Sequence, residues 1–533
     1  MMTQLLGQVR DAVEAAIVLQ RRGLVDVCRP LDAISASRGL RRYGSLGGLV
    51  GHVASRYGDA PALTDEDGTL SFADLEAISN GLARGLAGRG IGAGAVIGLL
   101  ARNHRALLLS LFAAGKIGAR VVLLNTGFAA PQLADVCRRE KVTAVIADDE
   151  YRDLIDILPC EVDRIGWSGV SGLAALAAGR STAPLPAPAS VGGMVLLTSG
   201  TTGTPKGAPR NKVSPLQSAQ LLDRIPWPSG GAYHIAAPMF HATGLATCSL
   251  GLALGNRVVL ARRFDPEDTL ASIEHHRVGA LIVVPTMLTR ILDLGPDILA
   301  RYDTSSLRVV FAAGSALSPD LCRRTMDVFG DVLYNLYGST EVAVAAVATP
   351  SELRSAPGTV GRPPVGCTLA AYDEKRRRIT EPGRSGTLFV SSSLSFGGYT
   401  DGGNKETVDG LLSSGDTGHF DENGLWFVDG RDDDMIVSGG ENVFPLEVEN
   451  LLAGHPAVVE TSVVGVDDAE FGKRLCAFVV RRPGVDLGAD EVKNYVRAGL
   501  ARHKVPRDVV FVEVLPRNET GKVLKAQLQR ELS

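Results

Sequence analysis

The sequence predicts a multidomain α/β fold: a large body of α/β subdomains, a β-rich subdomain after it, and a small α+β unit at the end of the chain. Three observations point there. A chain of 533 residues exceeds what one hydrophobic core normally supports. Helical and extended patterns alternate through two long stretches, Leu46 to Pro188 and Tyr233 to Tyr334, as parallel-sheet architectures require. After Glu341 the texture becomes short strands between glycine-rich turns, and beyond Gly430 it changes again.

The elements follow in order. Leu6, Val9, Val13 and Ile17 recur at helical spacing with Gln8, Arg10, Asp11 and Glu14 between them, and Gln20, Arg21 and Arg22 end the stripe. Such a helix either packs on the body of its own protein or makes peripheral contact with a lipid surface. Asp11 and Glu14 interrupt the apolar run and no small-residue cleavage site follows, so a secretory signal is not expected. The first α/β stretch then reads as helix Phe72 to Arg89, strand Ala95 to Leu100, helix Arg105 to Ile117 and strand Arg120 to Leu124. A Pro/Ala/Ser connector, Ala183 to Ser190, precedes a strand at Met194 to Leu197. Strands at Arg257 to Leu260, Ala280 to Val284 and Arg308 to Ala312 build the second stretch. The terminal unit has strands at Thr461 to Val466 and Arg474 to Val480 and a helix from Ala489 to Leu500. Gly430 to Asp434, an Asp-Gly-Arg turn running into three aspartates, is the best boundary before it.

With 45% apolar and 21% charged residues the chain falls outside the disordered and fibrous classes. A net charge of −4 gives no reason to expect a nucleic acid partner. Cys28, Cys137, Cys160, Cys248, Cys322, Cys367 and Cys476 are widely spaced, with no Cys-x-x-Cys pair. They read as reduced core thiols of a cytoplasmic protein, with neither a disulfide framework nor a zinc site. The longest apolar runs, Ala106 to Ala114 and Ala280 to Pro285, fall short of the roughly 20 residues that cross a bilayer.

The sharpest local signal is Thr198-Ser199-Gly200-Thr201-Thr202-Gly203-Thr204-Pro205-Lys206-Gly207, directly after a predicted strand. Its glycines let backbone N–H groups approach an anion while hydroxyls and a lysine add donors, an inventory suited to polyphosphate held with Mg²⁺. It is not a Walker A loop, because Lys206 lies between Pro205 and Gly207 instead of in Gly-Lys-Ser/Thr. This loop is similar to the phosphate-binding signature of the adenylate-forming superfamily, which comprises acyl-CoA synthetases, luciferases and nonribosomal adenylation domains. The resemblance continues in the family's order from about Tyr43 through nearly the whole chain.

Within that resemblance, Pro238-Met239-Phe240-His241-Ala242-Thr243-Gly244 corresponds to the segment lining the acyl pocket, with His241 gating it. Ala313-Gly314-Ser315-Ala316-Leu317 stands where the family has one adenine wall, departing from the commoner Gly-Gly-Ala-Pro. Tyr337-Gly338-Ser339-Thr340-Glu341 resembles the segment that stacks adenine on the tyrosine and brings the glutamate to Mg²⁺; an aromatic face suits a flat base and a hard cation prefers carboxylate oxygen. Asp416 of Ser414-Gly415-Asp416 implies a ribose acceptor, since a carboxylate serves both hydroxyls of a diol, and Arg431 implies a ribose or phosphate donor. Asp433 occupies the family's hinge position, and Gly439 and Gly440 the loop that lines the pantetheine tunnel. In Leu515-Pro516-Arg517-Asn518-Glu519-Thr520-Gly521-Lys522, Lys522 is implied to reach the substrate carboxylate and α-phosphate. Lys522, Glu341, His241 and Thr198 are thus the implied catalytic groups. The implied layout is an N-terminal helical extension (1–43), an AMP-binding body (44–430) and a mobile C-terminal lid (431–533).

The implied reaction is ATP-dependent ligation of a carboxylic acid to coenzyme A through an acyl-adenylate. Amino acid activating members carry an aspartate where His241 stands, and an ammonium buried without that partner is costly, so an acid lacking an amine is expected. No carrier domain follows Lys522 before Ser533, which favours coenzyme A as acceptor. Leu245 stands where some long-chain synthetases have a gating tryptophan. The pocket candidates beside His241, namely Ala242, Leu245, Val284, Ala313 and Val342, are apolar and favour a medium- or long-chain fatty acid. The alternatives are an aryl or hydroxycinnamate CoA ligase and a fatty acyl-AMP ligase loading a carrier protein. The short spacing from Glu341 to Gly358 leaves little room for the insertion expected of the last. Loss of Lys522 or Glu341 would have supported a nucleotide-binding protein without turnover, and neither is lost.

Overall fold

The computed structural model describes residues 2–25, 30–159, 162–167, 172–198, 205–210, 215–432, 434–438, 441–468, 472–518 and 521–532. Ser199, Gly200, Thr201, Thr202, Gly203, the hinge candidate Asp433 and the tunnel candidates Gly439 and Gly440 lie outside the described residues. Among the described residues the strands form four sheets. The α/β class expected from the sequence is the class observed.

The largest sheet runs, in spatial order, Ala343–Ala348, Leu333–Ser339, Val309–Ala313, Ala280–Val283, Ala232–Ile235, Arg257–Leu260, Pro61–Asp65 and Gly68–Ser71. Its inner strands are parallel and only the outermost pairing at each edge is antiparallel. Ala280–Val283 and Val309–Ala313 are buried at every position, the condition of a parallel sheet covered on both faces. A second sheet, Asp163–Gly166, Ala144–Ala147, Val96–Leu100, Arg120–Leu123, Met194–Leu197 and Gly207–Arg210, is parallel except for its last pair. That pair is a hairpin whose tip carries the glycine-rich loop. The crossover helix Phe72–Gly88 starts where Ser71 accepts from the Asp74 N–H and Asp74 reaches back, a reciprocal cap that the Ser-x-x-Asp spacing encodes.

The β-rich subdomain is antiparallel: Cys367–Tyr372, Gly386–Ser392, Leu411–Phe420 and Thr407–Val408, with Trp426–Arg431 pairing on Leu411–Phe420. The terminal unit centres on Val458–Asp468 and Gly472–Arg481, with helices Pro445–Ala453 and Ala489–Gly499 closing its own core around Val448, Leu452, Leu475, Val492 and Val496. Cys137, Cys248, Cys322, Cys367 and Cys476 are unpaired thiols, four of them buried, and burial raises the pKa of each; Cys28 and Cys160 lie outside the described residues. No described helix is long and apolar enough to cross a membrane.

The N-terminal helix extends over Met2–Arg21 and is seated on the body, but not through Val13 and Ile17 of its apolar stripe; the side chains of Leu6 and Val9 lie outside those described. Ala15 and Leu19 face inward and are buried, while Val13 and Ile17 keep 54% and 49% of their surface exposed. Arg22, just beyond it, donates to the carbonyls of Leu222 and Asp223 at 3.1 and 3.2 Å. Helical phase explains the arrangement: positions 15 and 19 stack on one side, 13 and 17 on the other.

Gly338 shows how tightly the backbone is folded where the first and third sheets meet. The strand shifts register between Tyr337 and Gly338, Ala343 opposite has φ 59°, and a Cβ on Gly338 would lie 1.8 Å from the Ala343 carbonyl oxygen. Only glycine fits. Gly338→Ala is therefore expected to cost about 3 kcal/mol, the scale of a severe backbone clash, and to lower the thermal transition midpoint. A midpoint equal to wild type would show that the turn is not constrained in this way.

Candidate active site

Four parallel neighbours of the large sheet end on the same side, and their continuations carry candidate residues: His241 beyond Ala232–Ile235, Val284 after Ala280–Val283, Ser315 after Val309–Ala313, and Glu341 after Leu333–Ser339. Crevices beyond the carboxyl ends of parallel strands are where open α/β sheets bind ligands.

Glu341 is held from several directions. Ser339 Oγ donates to one carboxylate oxygen at 2.9 Å and the Tyr399 hydroxyl to the other at 2.7 Å. Ser339 Oγ also accepts from the N–H groups of Glu341 and Val342, and the Phe396 N–H donates to the Glu341 carbonyl at 2.8 Å. Arg210 binds the carbonyls of Thr340 and Leu394. Burial lowers the Arg210 pKa to about 10, with nearby Glu341 opposing the shift.

The hairpin Met194–Leu197/Gly207–Arg210 brings the ends of the glycine-rich loop together. The Thr198 N–H donates to the Lys206 carbonyl at 2.9 Å, and Thr198 is buried while Lys206 is exposed. The Lys206 ammonium stands 5.0 Å from the centroid of the Tyr399 ring and 3.9 Å from an Asp401 oxygen. Between them Thr400 donates its N–H to the Gly207 carbonyl and its hydroxyl to Glu140, both at 2.9 Å. One short segment, Phe396 to Asp401, thus fastens the loop's lysine end to Glu341. Burial and the Glu341 carboxylate push the Tyr399 pKa up, keeping its hydroxyl a donor.

Asp416 and Arg431 are register partners in the antiparallel subdomain, their side chains 3.8 Å apart. The Tyr337 hydroxyl donates to Asp416 at 2.6 Å. Burial raises the Asp416 pKa, while Tyr337, Arg431, Lys522 and Lys405 work against the rise.

Lys522 comes from the far end of the chain. Its N–H donates to the Asn518 side chain at 2.9 Å, in a tight turn closed by the Asn518 N–H to Lys522 carbonyl bond. At the turn Gly521 has φ 77°, and a Cβ there would meet Thr286 Oγ1 at 2.5 Å, so the turn rests on the first residues of the helix Pro285–Leu292. Enclosure by protein lowers the Lys522 pKa first, Arg431 lowers it further, and Asp416 and Glu341 oppose both. The residue stays solvent-exposed nonetheless, as a side chain in an open cleft does. Lys525 binds Glu449 at 3.0 Å and approaches Asp434 at 3.8 Å, tying this tail to the start of its own unit.

His241 caps the helix Ala242–Ala253 through its backbone and packs its ring 4.4 Å from that of Phe240. Its Nε2 is buried and makes no hydrogen bond. Burial, with Lys522 adding to it, lowers its pKa to about 4, so the imidazole is neutral at physiological pH.

Ala242, Leu245, Val284 and Ala313 share one core cluster. Val342 does not join them: it is fully buried with Ala208, Ala345 and Leu412 under the β-rich subdomain. It was expected among the apolar pocket candidates, but its side chain packs into the other core instead. Sequence reasoning passed over Arg210, Tyr399 and Thr286. A lone arginine in a buried hairpin strand and an aromatic residue after Gly397-Gly398 were the available signals.

The Glu341 carboxylate, with two hydroxyl donors on it, is the group here that could hold a divalent cation.

Comparison with known proteins gives this geometry its context. Residues 50–400 match the AMP-binding enzyme family and residues 447–522 the AMP-binding enzyme C-terminal domain. The chain is 31% identical over 482 residues to an indoleacetate–CoA ligase of Aromatoleum aromaticum, covering 86% of this chain and 93% of that protein. It is 30% identical to a fatty acid–[acyl-carrier-protein] ligase of Streptomyces coeruleorubidus, covering 88% and 93%. The structure of an o-succinylbenzoate CoA synthetase from Bacillus subtilis with its acyl-adenylate intermediate superposes with a TM-score of 0.78 at 26% identity, covering 90% of this chain and 97% of that one. This chain belongs to the AMP-binding enzyme family, among the AMP-forming acid–thiol ligases of the adenylate-forming superfamily.

Proposed function

We propose that the protein activates an apolar carboxylic acid with MgATP and transfers the acyl group to coenzyme A. The observation that supports this reading is the seating of the turn before Lys522, from the end of the chain, against Thr286 at the start of the helix Pro285–Leu292, directly after Val284 at the end of a strand of the large sheet. In the first half-reaction a substrate carboxylate oxygen attacks the α-phosphorus, the bond to the bridging oxygen breaks and pyrophosphate leaves. Both reactants are anions, so catalysis rests on positioning and on positive groups at the developing charge. Lys522 and the loop from Thr198 to Lys206 supply the donors, and Glu341 takes the Mg²⁺ that accompanies ATP. Tyr337, Ser315 and Gly338 would border the adenine, and Asp416 and Arg431 the ribose.

In the second half-reaction the thiolate of coenzyme A attacks the acyl carbon and AMP departs with the electron pair of the broken C–O bond. The thiolate needs the space that the Lys522 turn fills beside Thr286. The unit from about residue 431 therefore acts as a lid that swings about Asp433, withdrawing Lys522 and bringing Gly439 and Gly440 to the pantetheine arm. His241 gates the acyl pocket as a neutral group.

Leu245, Val284 and Ala313 line an apolar environment that suits a medium- or long-chain fatty acid. An aryl acid is the second reading, favoured by the indoleacetate and o-succinylbenzoate ligases among the similar proteins. Pyrophosphate release and thioester formation over a panel of fatty acids graded by length, with cinnamic and indoleacetic acids, should give the highest kcat/KM for a medium- or long-chain acid. A preference for the ring-bearing acids would establish the second reading, and adenylate without thioester would point to a carrier-protein acceptor.

Three further outcomes are expected. Lys522→Ala should slow acid-dependent pyrophosphate release about 100-fold or more while leaving thioester formation from supplied acyl-adenylate within a few-fold of wild type; equal losses in both steps would refute the division of roles. Tyr399→Phe removes one donor from Glu341 and should raise the Mg²⁺ concentration for half-maximal adenylation about tenfold, with KM for the acid unchanged; an unaltered Mg²⁺ titration would show that the contact is incidental. Because His241 stays neutral above about pH 5, the pH profile of adenylation should carry no limb near 6.5 that His241→Asn abolishes. Such a limb would mean that His241 titrates during the reaction.

A further inference from the structure

We infer that the outward face of the N-terminal helix docks the protein on an anionic lipid bilayer. The helix Met2–Arg21 presents Val13 and Ile17 to solvent, although burying them and exposing Ala15 would be the ordinary choice for a helix serving only its own core. Arg21, one turn after Ile17 on the same face, is also exposed. On the next helix Ile34 is 45% exposed and Arg38 and Arg41 are exposed. In the sequence the apolar spacing runs back through Val9 and Leu6.

Charge selects the partner. Residues 1–43 hold seven arginines and no lysine against four acidic residues, a net +3 in a chain whose total is −4, which leaves −7 on the rest; the exposed Glu14 lies beside Arg21 on the outward face. Branched apolar side chains flanked by arginine on a helix lying across its own protein are the pattern of an interfacial helix, and basic residues near an anionic leaflet add to the binding. The helix is not apolar enough to insert across a bilayer and lies on the surface instead. Its anchor reaches inward: Arg22 grips the end of the helix Pro215–Leu222, whose Ala219 and Leu222 belong to the same core cluster as Leu245, Val284 and Ala313.

The test is sedimentation of the full-length protein with vesicles of phosphatidylcholine alone or mixed with phosphatidylglycerol. Pelleting with the anionic vesicles, weakened at high salt and reduced about tenfold in the double variant Val13→Asp/Ile17→Asp, is the expected result. Arg21→Glu should weaken it less. Thermal midpoints of the variants should match wild type, which separates loss of docking from loss of folding. No pelleting, or pelleting that the double variant leaves unchanged, would overturn the inference. So would a wild-type dimer in analytical ultracentrifugation that the double variant dissolves, because the face would then belong to a second copy. Vesicle binding requires no turnover, so failure of the proposed reaction would leave this result unaffected, and the converse also holds.

Discussion

The electrostatic cluster of Lys522, Arg431, Asp416 and Glu341 is the constraint on which the rest of the site depends. Asp416 and Arg431 of the β-rich subdomain stand 3.8 Å apart, and the charges of Arg431, Asp416 and Glu341 all bear on the Lys522 ammonium from the terminal unit. Burial and Arg431 lower the Lys522 pKa while the two carboxylates support its charge. An ammonium held this way is ready for an additional anion, and in the proposed reaction that anion is the α-phosphate and the carboxylate attacking it. The turn that carries Lys522 seats against Thr286, so closely that a Cβ at position 521 would lie 2.5 Å from the Thr286 hydroxyl oxygen.

A second layer of organisation serves the first. Phe396 to Asp401 contacts the Glu341 backbone, the Glu341 carboxylate, the Gly207 carbonyl and the Lys206 ammonium. The two carboxylate–hydroxyl contacts fix Glu341 before any cation arrives, and low local dielectric strengthens both. Arg210 secures the same turn through the Thr340 carbonyl, giving the carboxylate a rigid mount on three sides. Such preorganisation matters more than the number of charges when a transition state must be met without rearrangement.

Much of this was legible in the residues. Alternating periodicity marked the helix Arg105–Ile117 and the strands Met194–Leu197 and Arg257–Leu260 with their observed bounds, because buried parallel strands and crossover helices write strong local patterns. The glycine-rich loop after Thr198 signalled an anion cradle through its own glycines, hydroxyls and lysine, whereas Glu341, Asp416 and Lys522 stood out only through their match to the family's motifs. What remained hidden was tertiary. Val342 follows Glu341 yet belongs to another core, and Val13 and Ile17 form a stripe that the body does not cover. Tyr399 and Arg210 gain meaning only when sheets far apart in sequence are brought together. No local periodicity reports which face of a helix will find a neighbour, or which strand end a side chain will meet.

The central claim is that one Lys522 turn serves the first half-reaction when docked and must leave for the second. A Cβ at Gly521 would stand 3.4 Å from the Cβ of Thr286, close to the spacing of about 3.5–4.5 Å that a disulfide spans. The decisive measurement is single-turnover chemistry of the Gly521→Cys/Thr286→Cys protein, oxidised and then reduced. The account predicts that the oxidised protein still releases pyrophosphate and accumulates acyl-adenylate but forms thioester only after reduction. Thioester formation at the same rate with the bridge closed would contradict it.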